Sequence, residues 1–334
     1  MKKIKRSEIL FLYDVKNANP NGDPVEENRP RIDEETGINI VTDVRLKRTI
    51  RDYLFSLIQN KDERLMGQDI FIREIRDSEG YLYDAKTRAK DFLKEEGGKF
   101  SEMRQRIKED ICSKCIDVRL FGAVIPLELK VEGKEKPETG SITLTGPVQF
   151  KFGRSLHRVK IEFIKGTGAF AAEYSEKQKQ MQFTFREEYI VPYSLICFYG
   201  IINENSATET GLTEQDVDLM LEAMWKGTKG LITRTKAGQT PRLLMQVVYN
   251  EPNFHIGGLD VLELDKGDLP DEKIRDITQI KLDITRLSNK IAKHKNKIEK
   301  IRYAIDDELV CIKEGKMVPF EDIWEEIATE ILEF

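Results

Sequence analysis

The sequence predicts an α+β protein, a ferredoxin-like sandwich of strands and helices enlarged by insertions and followed by a helical tail. Three observations predict it. Apolar and amphipathic segments follow one another as strand–helix–strand, insertion, strand, excursion, strand–helix–strand. The first of them, Ile9-Leu10-Phe11-Leu12-Tyr13, is apolar at every position, the mark of a strand covered on both faces. The region after Asp265 instead carries apolar residues at alternating spacings of three and four, the mark of a coiled coil or helical hairpin.

Each element has its own local reason. Residues Glu8–Val15 form the first strand, and the polar stretch NPNGDPVEENRPRIDEETG after it is loop. Thr42 or Asp43 offers an N-cap for a helix whose apolar face is Leu46, Ile50, Tyr53, Leu54 and Leu57. A short strand, Ile70–Ile75, is expected after Gly67. Asp84 to about Lys114 is charged and helix-prone, and reads as an insertion. Cys115–Ile125 is apolar again. Ser141–Phe152 alternates and reads as a strand broken at Gly146-Pro147. From Lys160 to Arg186 the pattern becomes irregular, a protruding hairpin-like excursion. Tyr189–Ile202 is a buried strand, Thr213–Trp225 a helix capped by Thr213, and Leu243–Tyr249 the last core strand. In the tail, Ile277, Ile280, Ile284, Leu287, Ile291, His294, Ile298, Ile301 and Ile305 form the seam, with Gly267–Pro270 as entry and Gly315 as exit. Packing of this tail on its own chain is favoured over docking to another protein.

Composition narrows the function. With 40% hydrophobic and 34% charged residues, the chain can bury a core and stay solvated. Lys-Lys-Ile-Lys-Arg before Ile9–Tyr13 imitates a signal peptide, but the apolar stretch stops at Asp14 and no small-residue cleavage site follows. Tyr189–Ile202 contains Pro192 and Ser194 and is too short to span a bilayer. Four cysteines make no disulfide framework, so a cytoplasmic location is expected.

A formal charge of −5 speaks against nucleic acid only as a sum, because a partner feels local charge. Three windows are basic and free of acid. Val44–Arg51 has Arg45, Lys47, Arg48 and Arg51, expected on the side opposite the helix's apolar face. Ser141–Ile161 has Lys151, Arg154, Arg158 and Lys160. Ala223–Asn250 has Lys226, Lys229, Arg234, Lys236 and Arg242, interleaved with Gly227, Gly230 and Gly238. One such window is an ordinary solvated face; three beside core strands point to a track for phosphates. The offsetting acid sits in Met317–Phe334, with six acidic residues and no basic one.

Catalytic signatures are sparse. His157, His255 and His294 have no zincin-like spacing to a carboxylate, and no nucleophile elbow or Walker sequence is present. Cys112 and Cys115 form a CxxC without a second pair, which reads as two ordinary thiols rather than a metal site. Asp23 and Asp33 lie among Gly, Pro and Asn, where aspartate usually shapes turns. A metal-assisted or general-base role for them is the sharper alternative. No cofactor is indicated.

NPNGDP, RPRID-x3-G, VTDVRLKRTIRDYL, DVRLFGAVIP, TGPVQFKFGRSL and TRTKAGQTPRLL, in this order, resemble the repeated backbone subunit of type I CRISPR Cascade complexes, nearest to subtypes I-B and I-C. The likeness covers roughly residues 8–249. It implies a modified RNA-recognition-motif palm over residues 1–265, with a finger-like insertion at about 77–115 and a thumb-like excursion at about 160–186. Residues 266–334, the helical coiled-coil-like segment and acidic C-terminus, lie outside what it implies. The resemblance further implies a non-catalytic subunit that holds guide RNA by its backbone, stacks head to tail with copies of itself beside other Cascade subunits, and presents the guide to target DNA. Arg31, Arg45, Lys47, Arg48, Arg51, Arg154, Arg158, Lys226, Lys229, Arg234, Lys236 and Arg242 are the expected RNA contacts. Related type III subunits carry a catalytic aspartate after the first strand, so a metal-dependent RNA endonuclease using Asp23 or Asp33 is the alternative. A plain RNA-binding module that does not assemble is a third reading.

Overall fold

A computed structural model describes residues 3–93, 97–171 and 183–334. The apolar first segment becomes strand β1 (Ser7–Ala18), and its two faces explain its composition. Ile9, Phe11, Tyr13 and Val15 enter one core, while Leu10 and Leu12 enter a second on the other side of the sheet. The polar loop after β1 ends in β2 (Ile38–Val41), and α1 (Asp43–Gln59) follows. Thr42 is its N-cap, its hydroxyl accepting the Arg45 N–H at 3.3 Å.

The insertion holds α2 (Ala85–Lys90) and α3 (Phe100–Lys114), then α4 (Ile116–Phe121) and the hairpin β3 (Gly122–Leu129) and β4 (Glu138–Thr145). Met103, Ile107 and Ile111 of α3 pack with Ile125, Leu127, Ile142 and Leu144 in a third, separate core. Residues 70–75 form no strand. The N–H groups of Phe71 and Ile72 donate to the Asp117 carboxylate at 2.7 and 3.1 Å, so they are not available for a ladder.

Gly146-Pro147 separates β4 from β5 (Val148–Phe150), which β6 (Gly153–Arg158) follows. The excursion begins as β7 (Glu162–Ala171), antiparallel to the start of β8 (Phe183–Ile202); its tip lies outside the described residues. After β8 come α5 (Glu204–Thr210), α6 (Glu214–Lys229) and β9 (Gln239–Tyr249). Thr213 and Asp216 close a reciprocal capping box at the start of α6.

The tail overturns the expected coiled coil. It forms β10 (Glu263–Asp265), β11 (Lys281–Asp283), a single short helix α7 (Thr285–Ala292), β12 (Ile298–Ile305), β13 (Cys311–Lys313) and β14 (Thr329–Ile331). Ile277, Ile280, Ile284, Leu287, Ile291, Ile298 and Ile301 are all buried on their own chain, but in several short elements. Isoleucine favours strands, and the Asp283 side chain receives the Thr285 N–H at 2.8 Å, starting a new helix where a continuous one would have to pass. Leu243–Tyr249 is therefore not the last core strand.

Among the described residues one large sheet runs β14-β12-β9-β1-β8-β6-β2, with Ile32–Asp33 at the far edge. β1 is antiparallel to both β8 and β9, while β12 and β14 are parallel to each other. Helices α1 and α6 cover one face, and residues 254–291 and 309–327 cover the other. Glu8, fully buried in β1, ties that second layer down. It accepts the hydroxyls of Tyr199 and Tyr249 and the N–H groups of Ile256 (2.8 Å) and Gly257 (2.9 Å).

Candidate nucleic-acid interface

The NPNGDP loop is fastened at three points. Asn21 Oδ1 accepts both the N–H and the hydroxyl of Thr42 at 2.9 Å, fixing the loop to the start of α1. The Asn19 N–H donates to the Thr235 carbonyl at 2.9 Å, and Lys236 Nζ donates to the carbonyls of Asn19 (2.6 Å) and Pro20 (3.0 Å). A Cβ on Gly22 would lie 2.0 Å from Asn28 Oδ1, so this turn needs glycine.

Where loop and α1 meet, two cations, Arg45 and Lys236, lie close together. The half-buried Arg45 guanidinium lies beside Tyr13, and no carboxylate pairs with it among the described residues. Burial lowers its pKa, against the charges of Tyr13 and Asp52. Burial, then the nearby Arg45 charge, pushes the Lys236 ammonium down to about 8. Gln239 stands directly opposite Val15 and thus on the same side of the sheet as Tyr13; its buried amide nitrogen has no hydrogen-bond partner among the described residues. Two close cations without a carboxylate partner among the described residues suit an anion, and Gln239 adds an unsatisfied donor on the Tyr13 side of the sheet.

The other expected contacts divide. Lys229 is exposed and has no carboxylate partner among the described residues. Arg48 is exposed but pairs with Asp52 at 2.7 Å, Lys47 pairs with Asp43 at 2.9 Å, and Lys226 pairs with Glu222 at 3.1 Å. Arg234 pairs with Glu188, Arg31 with Asp23 at 2.6 Å and Arg154 with Asp33 at 3.4 Å. Arg158 is exposed, its main-chain N–H donating to Asp271 at 3.0 Å.

Two expected contacts are internal instead. Arg51 pairs with the buried Asp117 carboxylate at 3.0 Å and lies over the Phe121 ring. Arg242 is buried among Asp14 (2.9 Å), Asp306 and Glu308 (2.8 Å), joining β1 to the segment after β12. The four basic residues of α1 also fail to share one side: Lys47 and Arg51 face Phe121, Arg48 lies about a sixth of a turn from Arg51, and Arg45 about a third of a turn or more from both. Lys226, Gly227 and Lys229 belong to helix α6 rather than to a turn. A Cβ on Gly227 would meet Tyr53 Cβ at 3.0 Å, so this glycine serves the α1–α6 crossing.

Asp23 and Asp33 shape their loops. Asp23 accepts the Val25 N–H at 3.0 Å, and Asp33 accepts the N–H groups of Glu35 and Thr36 at 3.2 and 3.4 Å. Partial desolvation raises the Asp33 pKa, but the bonds from Thr36, Glu35 and Arg154 outweigh it and hold the carboxyl below its usual range. Cys115 lies in the third core and Cys197 and Cys311 in the second, so the cysteines do not converge. Gln239 carries no charge and so stands outside the basic windows' expected contacts, although it lies in the TRTKAGQTPRLL stretch; nothing in that stretch announces an unsatisfied amide.

Residues 5–285 match the protein family described as CRISPR-associated protein Cas7. The chain belongs to the Cas7 family. It is 32% identical over 293 residues to a CRISPR-associated protein Cas7 of Haloferax volcanii, covering 85% of this chain and 82% of that one. Solved chains of a CRISPR RNA-guided surveillance complex and of a pre-nicking surveillance complex share its fold, each with a TM-score of 0.50. Their sequences are 13% and 14% identical; the matches cover 93% of this chain and 90% and 94% of theirs. Within the family frame, the loop and α1 that carry Arg45 are matched, while the last strands lie beyond residue 285. No helix among the described residues is long and apolar enough to cross a membrane.

Proposed function

We propose that this chain is the backbone subunit of a CRISPR surveillance complex and grips guide RNA through its phosphates, leaving the bases free for target DNA. The observation that carries the reading is Arg45 beside Lys236, two close cations with no carboxylate partner among the described residues, with the unsatisfied Gln239 amide on the Tyr13 side of the sheet. A phosphodiester supplies the missing negative charge whatever the base, as a guide of arbitrary sequence requires. Lys229 and Arg158 are exposed and extend the track; Arg31, Lys47, Arg48, Arg154, Lys226 and Arg234 contribute by exchanging a carboxylate for a phosphate.

The order β9-β1-β8-β6, with α1 and α6 on one face, supports an RNA-recognition-motif-like palm. The β7–β8 hairpin supports the thumb, and the separate core around α3 the finger. Copies stack head to tail along the guide, beside other subunits and in the cytoplasm. The chain does this without catalysis, Asp23 and Asp33 being loop formers.

The test is binding of several unrelated RNA sequences to the Arg45→Ala and Gln239→Ala variants over a salt series. Arg45→Ala weakens all sequences alike, by about tenfold, and lowers the salt slope by about one. Gln239→Ala weakens all alike without changing the slope. Loss confined to some sequences, or cleavage of complementary RNA by the assembled complex with divalent metal, refutes this function.

A further inference from the structure

The β14 edge of the sheet has no part in the anion site. The Leu332 N–H donates to the Tyr303 carbonyl at 2.7 Å, and the Ile301 N–H to the Ala328 carbonyl at 2.9 Å. With Tyr303 opposite Ile331, one side of β14 is thus bonded to β12, and strand alternation turns the main-chain groups of Thr329 and Ile331 outward. No strand takes up that side among the described residues. Lysine or proline often blunts an open edge; β14 (Thr-Glu-Ile) has neither, and although it is short, the charge of its Glu330 is neutralised by Lys300 and Arg302. Ile331 is 66% exposed.

Beside this edge lies a surface groove of about 360 Å³, lined by Trp225, Tyr303, Ile305, Ile331, Leu332 and Phe334. Its rim is acidic. Glu321 lines it, and the Tyr303 phenol is raised by burial and then by the charges of Glu321 and Asp322. Glu326 and Glu330 are neutralised by Lys295, Lys300 and Arg302, whereas Glu321, Asp322, Glu325 and Glu333 have no cation partner among the described residues. Such a rim repels nucleic acid. We propose that the β14 edge docks an extended segment of a partner protein as an added strand, its aromatic or branched side chain entering the groove and its lysine or arginine meeting Glu321 and Asp322. The proposal stands apart from the RNA reading, since none of these residues belongs to the anion site.

The probe is a fluorescent heptapeptide in which lysine alternates with valine and phenylalanine, titrated with the full chain at about 100 mM salt and followed by anisotropy. Saturable binding is expected, weakened about tenfold by Ile331→Pro, which removes an outward N–H, and by Glu321→Lys with Asp322→Lys. A peptide of equal charge with two central prolines binds about tenfold more weakly. The paired lysine substitutions lie on exposed side chains and test the site even if Ile331→Pro fails to fold. Equal binding of both peptides, or variants that bind like the parent chain, overturns the proposal. So does self-association of the parent chain that Ile331→Pro abolishes, since that assigns the edge to a second copy. Guide-RNA affinity, measured in parallel, stays unchanged in these variants.

Discussion

Arg45 and Arg242 both stand beside the central strands, and both lie in basic windows, yet their surroundings are opposite. Arg242 is buried among Asp14, Asp306 and Glu308, whereas no carboxylate among the described residues pairs with Arg45, which has another cation close by. The first is an internal tie; the second is a charge left open. A basic residue counts toward binding only after its carboxylate partners are known.

Removing the tie has the largest expected effect. Arg242→Ala leaves Asp14 buried without its cation and costs about 3–5 kcal/mol of stability, read from denaturant unfolding. RNA affinity of the folded fraction changes little. Unimpaired folding with lost RNA binding would erase the contrast between the two arginines.

The open site is sharpened by pH. Since Lys236 is pushed down to about 8 in the free protein, its charge is present below that pH and lost above it. A bound phosphate favours the charged form, so RNA affinity falls as pH rises from 7 to 9, by about tenfold. The drop is abolished in Lys236→Arg, whose charge persists across that range. A flat pH profile in the parent chain shows that Lys236 does not face RNA.

The smallest effect belongs to Lys229, exposed at the end of α6 and without a carboxylate partner among the described residues. Lys229→Ala lowers affinity about two- to fivefold and the salt slope by about one, with thermal stability unchanged. A shift in melting temperature larger than that in affinity would make it a helix-end residue rather than part of the track.

The fold was most legible where local chemistry decides it. Apolar residues at every position of Ile9–Tyr13 meant two covered faces, and Thr42 and Thr213 were recognisable caps because their partners are three residues away. The tail was misread because spacing alone does not distinguish one long helix from short strands that bury the same isoleucines. At the site, Lys236 lay in a recognisable window, but Arg51 and Arg242 are neutralised by carboxylates 66 and 228 residues distant in the chain. No window of sequence contains both partners. Gln239 was hidden for the same reason, its lack of a partner being a property of the packed interior.

The position of β1 at the centre of the sheet has a consequence for how the chain is made. Phe11 pairs with Phe198 on one side and Leu244 on the other, so both ladders join residues far apart in order of synthesis. At about 5–20 residues per second, roughly ten to forty seconds separate the emergence of Phe11 from that of its first neighbour. Through that interval both backbone edges of the segment, and the face that residues after 254 will cover, stay open, since only α1 on the opposite face is made early. The nascent chain, more than the finished protein, is what a chaperone has to recognise.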